Sequence, residues 1–263
     1  MKHSSQWIKR ILILSLSINL LFFTIFSYIV YKKGGSSYLI KRTKSIFIER
    51  TKTASNSESN VSLIVQKSRY DHMKSHFESL PDTDNEIIFL GDSLTDWCQW
   101  SEFFQNLNIK NRGIGGDRVN GILKRLPEVV SSSPDKVFLM VGVNDLGWGV
   151  DVQEIVLNYE RVIQNISKTT PSTTIYVQSI LPVNEQLLSQ YYPGSKITGK
   201  NILKLNRYLK DLSQKYQLTY VDLYPLFTAN ENQLDENLTF DGLHLNGKAY
   251  CIWKSAIDKY LQP

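Results

Sequence analysis

Ser93 stands in Gly91-Asp92-Ser93-Leu94, directly after the apolar run Ile87-Ile88-Phe89-Leu90. Four consecutive apolar residues with β-branched and aromatic members read as a strand buried on both faces. A serine at its carboxyl end lies where open α/β sheets bind their ligands. At such a strand-to-helix turn the hydroxyl can face a substrate, although Gly, Asp and Ser are also ordinary turn and N-cap residues. Three later segments add groups of complementary chemistry. Asn111-Arg112-Gly113-Ile114-Gly115-Gly116-Asp117-Arg118 carries three glycines, whose backbone N–H groups can come close to a ligand. Gly142-Val143-Asn144-Asp145 brings a side-chain amide, and Asp241-Gly242-Leu243-His244 sets a carboxylate three residues before an imidazole. Each has a plain reading as a turn or a cap. Together they supply a nucleophile, a base, a group to orient the base and donors for an oxyanion, which are the parts of an acyl-transfer site. The glycine segment lacks both a Lys-Ser/Thr ending and dinucleotide-fingerprint spacing, so a nucleotide site is not expected.

The elements that must position these groups follow from periodicity. After the first strand, strands are expected at Asn108 to Asn111, Lys136 to Val141, Thr174 to Ile180 and Leu218 to Val221. Helices are expected at Val119 to Val130, Asp151 to Lys168, Lys200 to Tyr216 and Asn246 to Tyr260. The second of these is the clearest, with Val152, Ile155, Val156, Tyr159, Val162, Ile163 and Ile166 on one face. Such alternation implies right-handed crossovers and a three-layer α/β fold with a parallel sheet of about five strands and helices on both faces. Upstream, Tyr70, Met73, Phe77 and Leu80 recur at helical spacing, so Val61 to Leu80 reads as an amphipathic helix. His72 and His76 on it have no accompanying ligand pattern and read as surface residues, so no metal is expected. Between Leu181 and Thr198, Pro182, Pro193 and Gly194 suggest an irregular loop bordering the site.

The first sixty residues differ in character. Residues 1–10 form a short tail, and Ile11 to Tyr31 contains no charged residue, enough to span a bilayer as a helix. A retained transmembrane anchor is the preferred reading. A cleaved signal peptide and a buried soluble helix are the alternatives, and the signal peptide is disfavoured by the length of the run and the lack of a small-x-small cleavage site. Residues 32–60 read as a basic, then polar, flexible linker, leaving 61–263 for the folded domain. The formal charge of +5 comes from Lys and Arg crowded into the first fifty residues, so no nucleic-acid partner is inferred. Lys32, Lys33, Lys41, Arg42 and Lys44 outnumber Lys2, Lys9 and Arg10, which favours a cytoplasmic domain. A long following domain weakens that rule, and Lys9-Arg10 abutting the apolar run is typical of uncleaved export signals, so an extracytoplasmic domain is expected. Cys98 and Cys251 are open to pairing or to remaining free.

The four blocks, in order Gly-Asp-Ser-Leu (91–94), Gly-Ile-Gly-Gly-Asp (113–117), Gly-Val-Asn-Asp (142–145) and Asp-Gly-Leu-His (241–244), resemble those of the SGNH or GDSL hydrolases. The form Asn-Arg-Gly-Ile-Gly-Gly-Asp, with Leu-His-Leu-Asn-Gly-Lys-Ala-Tyr at the end, is most similar to the branch of platelet-activating-factor acetylhydrolase-like and carbohydrate O-acetylesterase-like enzymes. The resemblance implies a flavodoxin-like sheet. It makes Ser93 the nucleophile, His244 its general base and later acid, and Asp241 the carboxylate orienting His244. The Ser93 and Gly116 N–H groups and the Asn144 amide become the oxyanion donors. It implies no cofactor, and as substrate a small ester or an acylated carbohydrate, with acetyl preferred. Lipase, lysophospholipase, thioesterase and O-acyltransferase activity, or a catalytically silent binding domain, are the competing readings. Trp97, Trp100 and Trp148 are candidates either for stacking on a sugar ring or for core packing.

Overall fold

The computed structural model describes residues 15, 19–35, 37, 41, 64–229 and 232–261 of the 263 in the chain. It divides into two compact units, Met1–Ile64 and Val65–Pro263. In the first, residues 19–32 are helical. Leu20, Leu21, Phe22 and Phe23 on this helix are 61–70% exposed. Among the described residues no helix is long and apolar enough to cross a membrane. Part of the expected span at 11–31, and most of the expected linker at 32–60, lie outside the described residues.

The second unit is built on five parallel strands, β1 (Ile87–Gly91), β2 (Ile109–Gly113), β3 (Lys136–Met140), β4 (Thr174–Gln178) and β5 (Thr219–Val221), in the order β2-β1-β3-β4-β5. The apolar run of β1 is buried at every position, as a strand covered on both faces requires. Around the sheet come helices α1 (64–78), α2 (Ser93–Asp96), α3 (Trp100–Phe104), α4 (Val119–Val130), α5 (Val143–Gly147), α6 (Val152–Thr169), α7 (Glu185–Tyr191), α8 (Gly199–Lys215), α9 (Tyr224–Phe227) and α10 (Gly247–Ile257). Helix α6 begins where Asp151 accepts from the Gln153 N–H, and it buries Val152, Ile155, Tyr159, Val162, Ile163 and Ile166 as their spacing predicts. It packs between α4 and α8, which right-handed crossovers place on one face of the sheet.

On the other face, Phe89, Phe138 and Tyr176 sit opposite one another in register and stack at centroid distances of 4.9 and 4.5 Å. Trp100 stacks on Phe89 at 4.4 Å and meets Trp253 of α10 edge-on. Trp100 is therefore a core residue, fully buried, and of the two readings its sequence left open the packing one holds. The segment 181–198 also differs from expectation, because α7 occupies its middle. Asn184 caps that helix through the Leu187 N–H and Leu188 is buried beneath it, so capping and docking stabilise a helix too short to be visible in periodicity.

Register positions the site. Gly91 at the end of β1 pairs with Gly113 of β2 and Met140 of β3, so the loops carrying Ser93, Gly116 and Asn144 leave the sheet at one level.

Candidate active site

Ser93 is the first residue of α2, a single helical turn, and such a turn leaves nearly all its carbonyls without internal partners. Here side chains from three other elements take them. Tyr250 donates to Leu94 O (2.8 Å), Trp100 Nε1 to Thr95 O (2.8 Å), and Asn111 Nδ2 to Thr95 O, Asp96 O and Cys98 O (2.9–3.1 Å). Asn111 Oδ1 also accepts from the Gly113 N–H at 2.8 Å, tying the nucleophile turn to the end of β2. The approach is so close that a Cβ at Gly113 would lie 2.2 Å from Asp96 N, which is why glycine is needed there. At the amino end, Asp92 caps the turn through the Leu94 N–H (3.1 Å).

Ser93 Oγ lies 3.0 Å from His244 Nε2, and His244 Nδ1 lies 2.6 Å from Asp241 Oδ2. With Nδ1 protonated toward the carboxylate, Nε2 is left to accept the serine proton. Asp241 Oδ1 accepts from the N–H groups of Leu243 (2.9 Å) and His244 (2.8 Å), so the spacing of three residues folds into a turn that holds acid and imidazole together. Burial pushes the Asp241 carboxyl up, but the His244 ring and the two N–H donors outweigh it and hold the group below its ordinary value. The carboxylate stays ionised, as the partner of a transient imidazolium must be. Tyr192, just beyond α7, donates to Asp241 Oδ2 at 2.9 Å and lies 3.4 Å from Nδ1. Burial and the Asp241 contact push this phenol up to about 12, so it remains a donor. Trp97 caps the nucleophile turn and stacks on the His244 ring at 4.0 Å, with its other surroundings open (55% exposed).

On the oxyanion side, Gly116 has φ +78°, a conformation favouring glycine. Among the described residues, no protein acceptor takes the N–H of Ser93 or of Gly116. Asn144 Nδ2 donates to Asp117 O at 2.9 Å, which fixes the amide and leaves its second N–H for a ligand. Gln66 of α1 donates to Gly116 O at 2.9 Å, and Arg69 pairs with Asp96, whose carboxylate accepts from the Gly115 N–H. The glycine loop is thus fastened from both sides.

Beneath the site lies a buried charge network. Arg125, fully buried on α4, donates to Asp117 (2.9 Å), Glu128 (3.3 Å), Gly91 O (3.2 Å) and Arg112 O (2.8 Å), clamping the ends of β1 and β2. Arg112 completes it with Glu128 at 3.2 Å. Removing one partner of such a network leaves an uncompensated buried charge, at a cost of about 3–5 kcal/mol. Asp92 and Asp145 lie outside this compensation. Burial, with Asp117 and Asp145 adding repulsion, raises Asp92 to about 7, and burial raises Asp145 to about 6.

A raised carboxyl makes ionisation costly to the folded state. For Asp92 this cost is absent below the unfolded value of 3.8, grows as pH rises toward 7, and is constant above it. Asp92→Asn keeps the Oδ1 cap and removes the charge. It is expected to stabilise the fold at pH 8 by on the order of 2–4 kcal/mol and by nearly nothing at pH 4. Urea unfolding at the two pH values checks this, and an equal effect at both would show that charge is not the cause.

The sheet therefore brings all five residues of the sequence-derived set, Ser93, Gly116, Asn144, Asp241 and His244, to one edge. No metal-binding cluster occurs among the described residues. Cys98 and Cys251 are both free thiols. The family model for the GDSL-like lipase/acylhydrolase family matches residues 89–252. The chain belongs to the GDSL-like lipase/acylhydrolase family. It is a serine esterase of the SGNH/GDSL type. The platelet-activating factor acetylhydrolase IB subunit alpha2 of Gallus gallus is 28% identical over 176 residues, covering 64% of this chain and 72% of the relative. A Streptococcus pneumonia structure described as that of a platelet activating factor has a TM-score of 0.71 and 30% identity, covering 80% of this chain and 99% of its own. An acetylxylan esterase of Geobacillus stearothermophilus, solved as a catalytic mutant, shares the fold with a TM-score of 0.53 and 16% identity over 68% of this chain and 95% of its own.

Proposed function

We propose that this GDSL esterase removes short acyl groups, acetyl above all, from a carbohydrate or a similarly polar carrier. The observation that carries the reading is the unbroken relay from Ser93 Oγ through His244 to Asp241 beside fixed oxyanion donors. Acetyl as the acyl group is supported by the acetylhydrolase relative and the acetylxylan esterase neighbour. A polar carrier is supported by the half-open faces of Trp97 over His244 and of Trp148 (48% exposed), flat surfaces suited to a sugar ring.

In this mechanism Ser93 Oγ attacks the ester carbonyl as its proton passes to His244 Nε2. Asp241 holds the imidazolium while the N–H groups of Ser93 and Gly116 and the Asn144 amide bind the oxyanion. Collapse breaks the C–O bond of the leaving alcohol, which takes the proton from Nε2. Water then donates a proton to Nε2 and attacks the acyl-serine, and a second collapse returns that proton to Ser93 and releases the acid. An alcohol arriving in place of water would give acyl transfer. Nitrophenyl esters from acetyl to decanoyl test the acyl length. Turnover is expected to be highest for acetyl and to fall steeply by octanoyl, whereas equal or better turnover of long chains would favour a lipase.

The uncharged run from Ile11 to Tyr31 in the sequence supports an N-terminal membrane anchor, and we place the hydrolase domain on the outer face. Protease added to intact cells is expected to release an active soluble fragment. Cleavage only after lysis would place the domain inside.

A further inference from the structure

Helix α1 precedes all five site residues in the chain, yet its amino-terminal half is bonded to the loop that carries the Gly116 N–H. Arg69 and Tyr70 stand three and four residues after Gln66, which puts the three on one side of the helix. Gln66 Nε2 donates to Gly116 O at 2.9 Å, Arg69 pairs with Asp96, and Tyr70 donates to Gly121 O at 2.8 Å. The helix has a separate anchor. Phe77, buried about three turns beyond Gln66, has the guanidinium groups of Arg112 and Arg125 over its ring at 5.0 and 6.0 Å. Docking of α1 therefore does not depend on Gln66 or Arg69 alone.

What these two residues hold is the glycine loop. The Asp117 N–H donates to Ile114 O at 3.0 Å, closing a turn whose two central residues are Gly115 and Gly116. The peptide between them carries the Gly116 N–H, and two glycines give that turn no side chain of its own to fix its direction. Neighbouring elements fix it from either side. Before it, the Gly115 N–H donates to Asp96 Oδ2 at 3.0 Å. After it, Gly116 O accepts from Gln66, whose amide fills the space a Cβ on Gly116 would take, 1.9 Å from Nε2. Arg69 has a second effect. Asp96 sets a carboxylate one residue from an oxyanion donor, where its charge opposes the charge that develops on the substrate, and the Arg69 guanidinium offsets it. We propose that α1 is part of the catalytic apparatus, with Gln66 and Arg69 as positioning residues that aim the Gly116 N–H at the oxyanion and neutralise the carboxylate beside it. The proposal rests on the oxyanion role given to Gly116 above and adds to it the groups that make that donor effective.

The test uses the full chain and its Gln66→Met, Arg69→Met and Arg69→Lys variants. Lys67→Met is the control, since Lys67 is exposed on the same helix and has no hydrogen bond or ion pair with a described residue. On p-nitrophenyl acetate, Gln66→Met and Arg69→Met are each expected to lower kcat about tenfold with KM unchanged, a smaller loss than removing a donor outright. Arg69→Lys, which keeps the charge, should recover most of the loss, and Lys67→Met should match the parent. Inhibition by phenylboronic acid, whose adduct with Ser93 is a tetrahedral anion, should weaken by the same factor as kcat falls. In chains labelled with ¹⁵N-glycine, that inhibitor should shift the Gly116 amide resonance strongly in the parent and much less in Gln66→Met. Parent-like kcat in Gln66→Met, a loss confined to KM, a Gly116 shift as large as the parent's, or a fall in kcat that only tracks a lower unfolding temperature overturns the proposal. A Gly116 resonance that the inhibitor leaves unmoved in the parent would remove the oxyanion role of Gly116 and the positioning role with it. Absence of p-nitrophenyl acetate turnover in the parent would instead count against the esterase reading, and the Gly116 shift would still decide the role of Gln66.

Discussion

Ser93→Ala is expected to lower ester turnover by about 10⁶-fold while leaving the fold intact, leaving a residual rate above that in water by about 10³ from the oxyanion donors alone. The reason lies in what the hydroxyl touches. Among the described residues its one hydrogen-bond partner is His244 Nε2, so removing it takes away the atom that must form the acyl-enzyme and no structural bond. The turn itself is held by Asp92, Asn111, Trp100 and Tyr250, none of which contacts Oγ. Thermal unfolding of the variant should match the parent. Parent-like turnover would refute the role given to Ser93.

Asn144→Ala should cut kcat by about 10²–10³-fold with little change in KM. Its amide is pinned by the 2.9 Å bond to Asp117 O, so the free N–H is aimed before substrate arrives and costs no reorganisation when charge develops. Such a donor binds the tetrahedral anion better than the neutral ester, and its loss therefore falls on turnover. A rise in KM at constant kcat would make Asn144 a substrate-binding residue instead.

Most of what positions these groups was legible in the sequence, because it is local. The buried run 87–90, the face of α6 and the four blocks are each contained in a short stretch, and the parallel sheet follows from their alternation. What was hidden depends on contacts across long separations. Tyr192 reaches Asp241 over 49 residues from a segment whose prolines and glycine mask a helix. Asn111 lay in plain view beside the glycines, yet its three bonds to the carbonyls of Thr95, Asp96 and Cys98 exist only once β2 pairs with β1. Arg125 had a signal that went unread: a cation three residues after Ile122, on the buried side of α4, with Glu128 one turn later. A charge at a core position announces a buried partner. Trp97 and Trp100 look alike in sequence, and only the turn between them sends one over His244 and the other into the core.

The central claim is that catalysis runs through an acyl-enzyme on Ser93 activated by His244. A fluorophosphonate, which adds irreversibly to an activated serine, puts this to a direct test by peptide mass spectrometry of the full chain. The account predicts one adduct per chain, on the peptide containing Ser93, with loss of activity in step with labelling and labelling that slows sharply in His244→Ala. Full inactivation with Ser93 unmodified, or undiminished ester turnover in a chain fully labelled at Ser93, would contradict it.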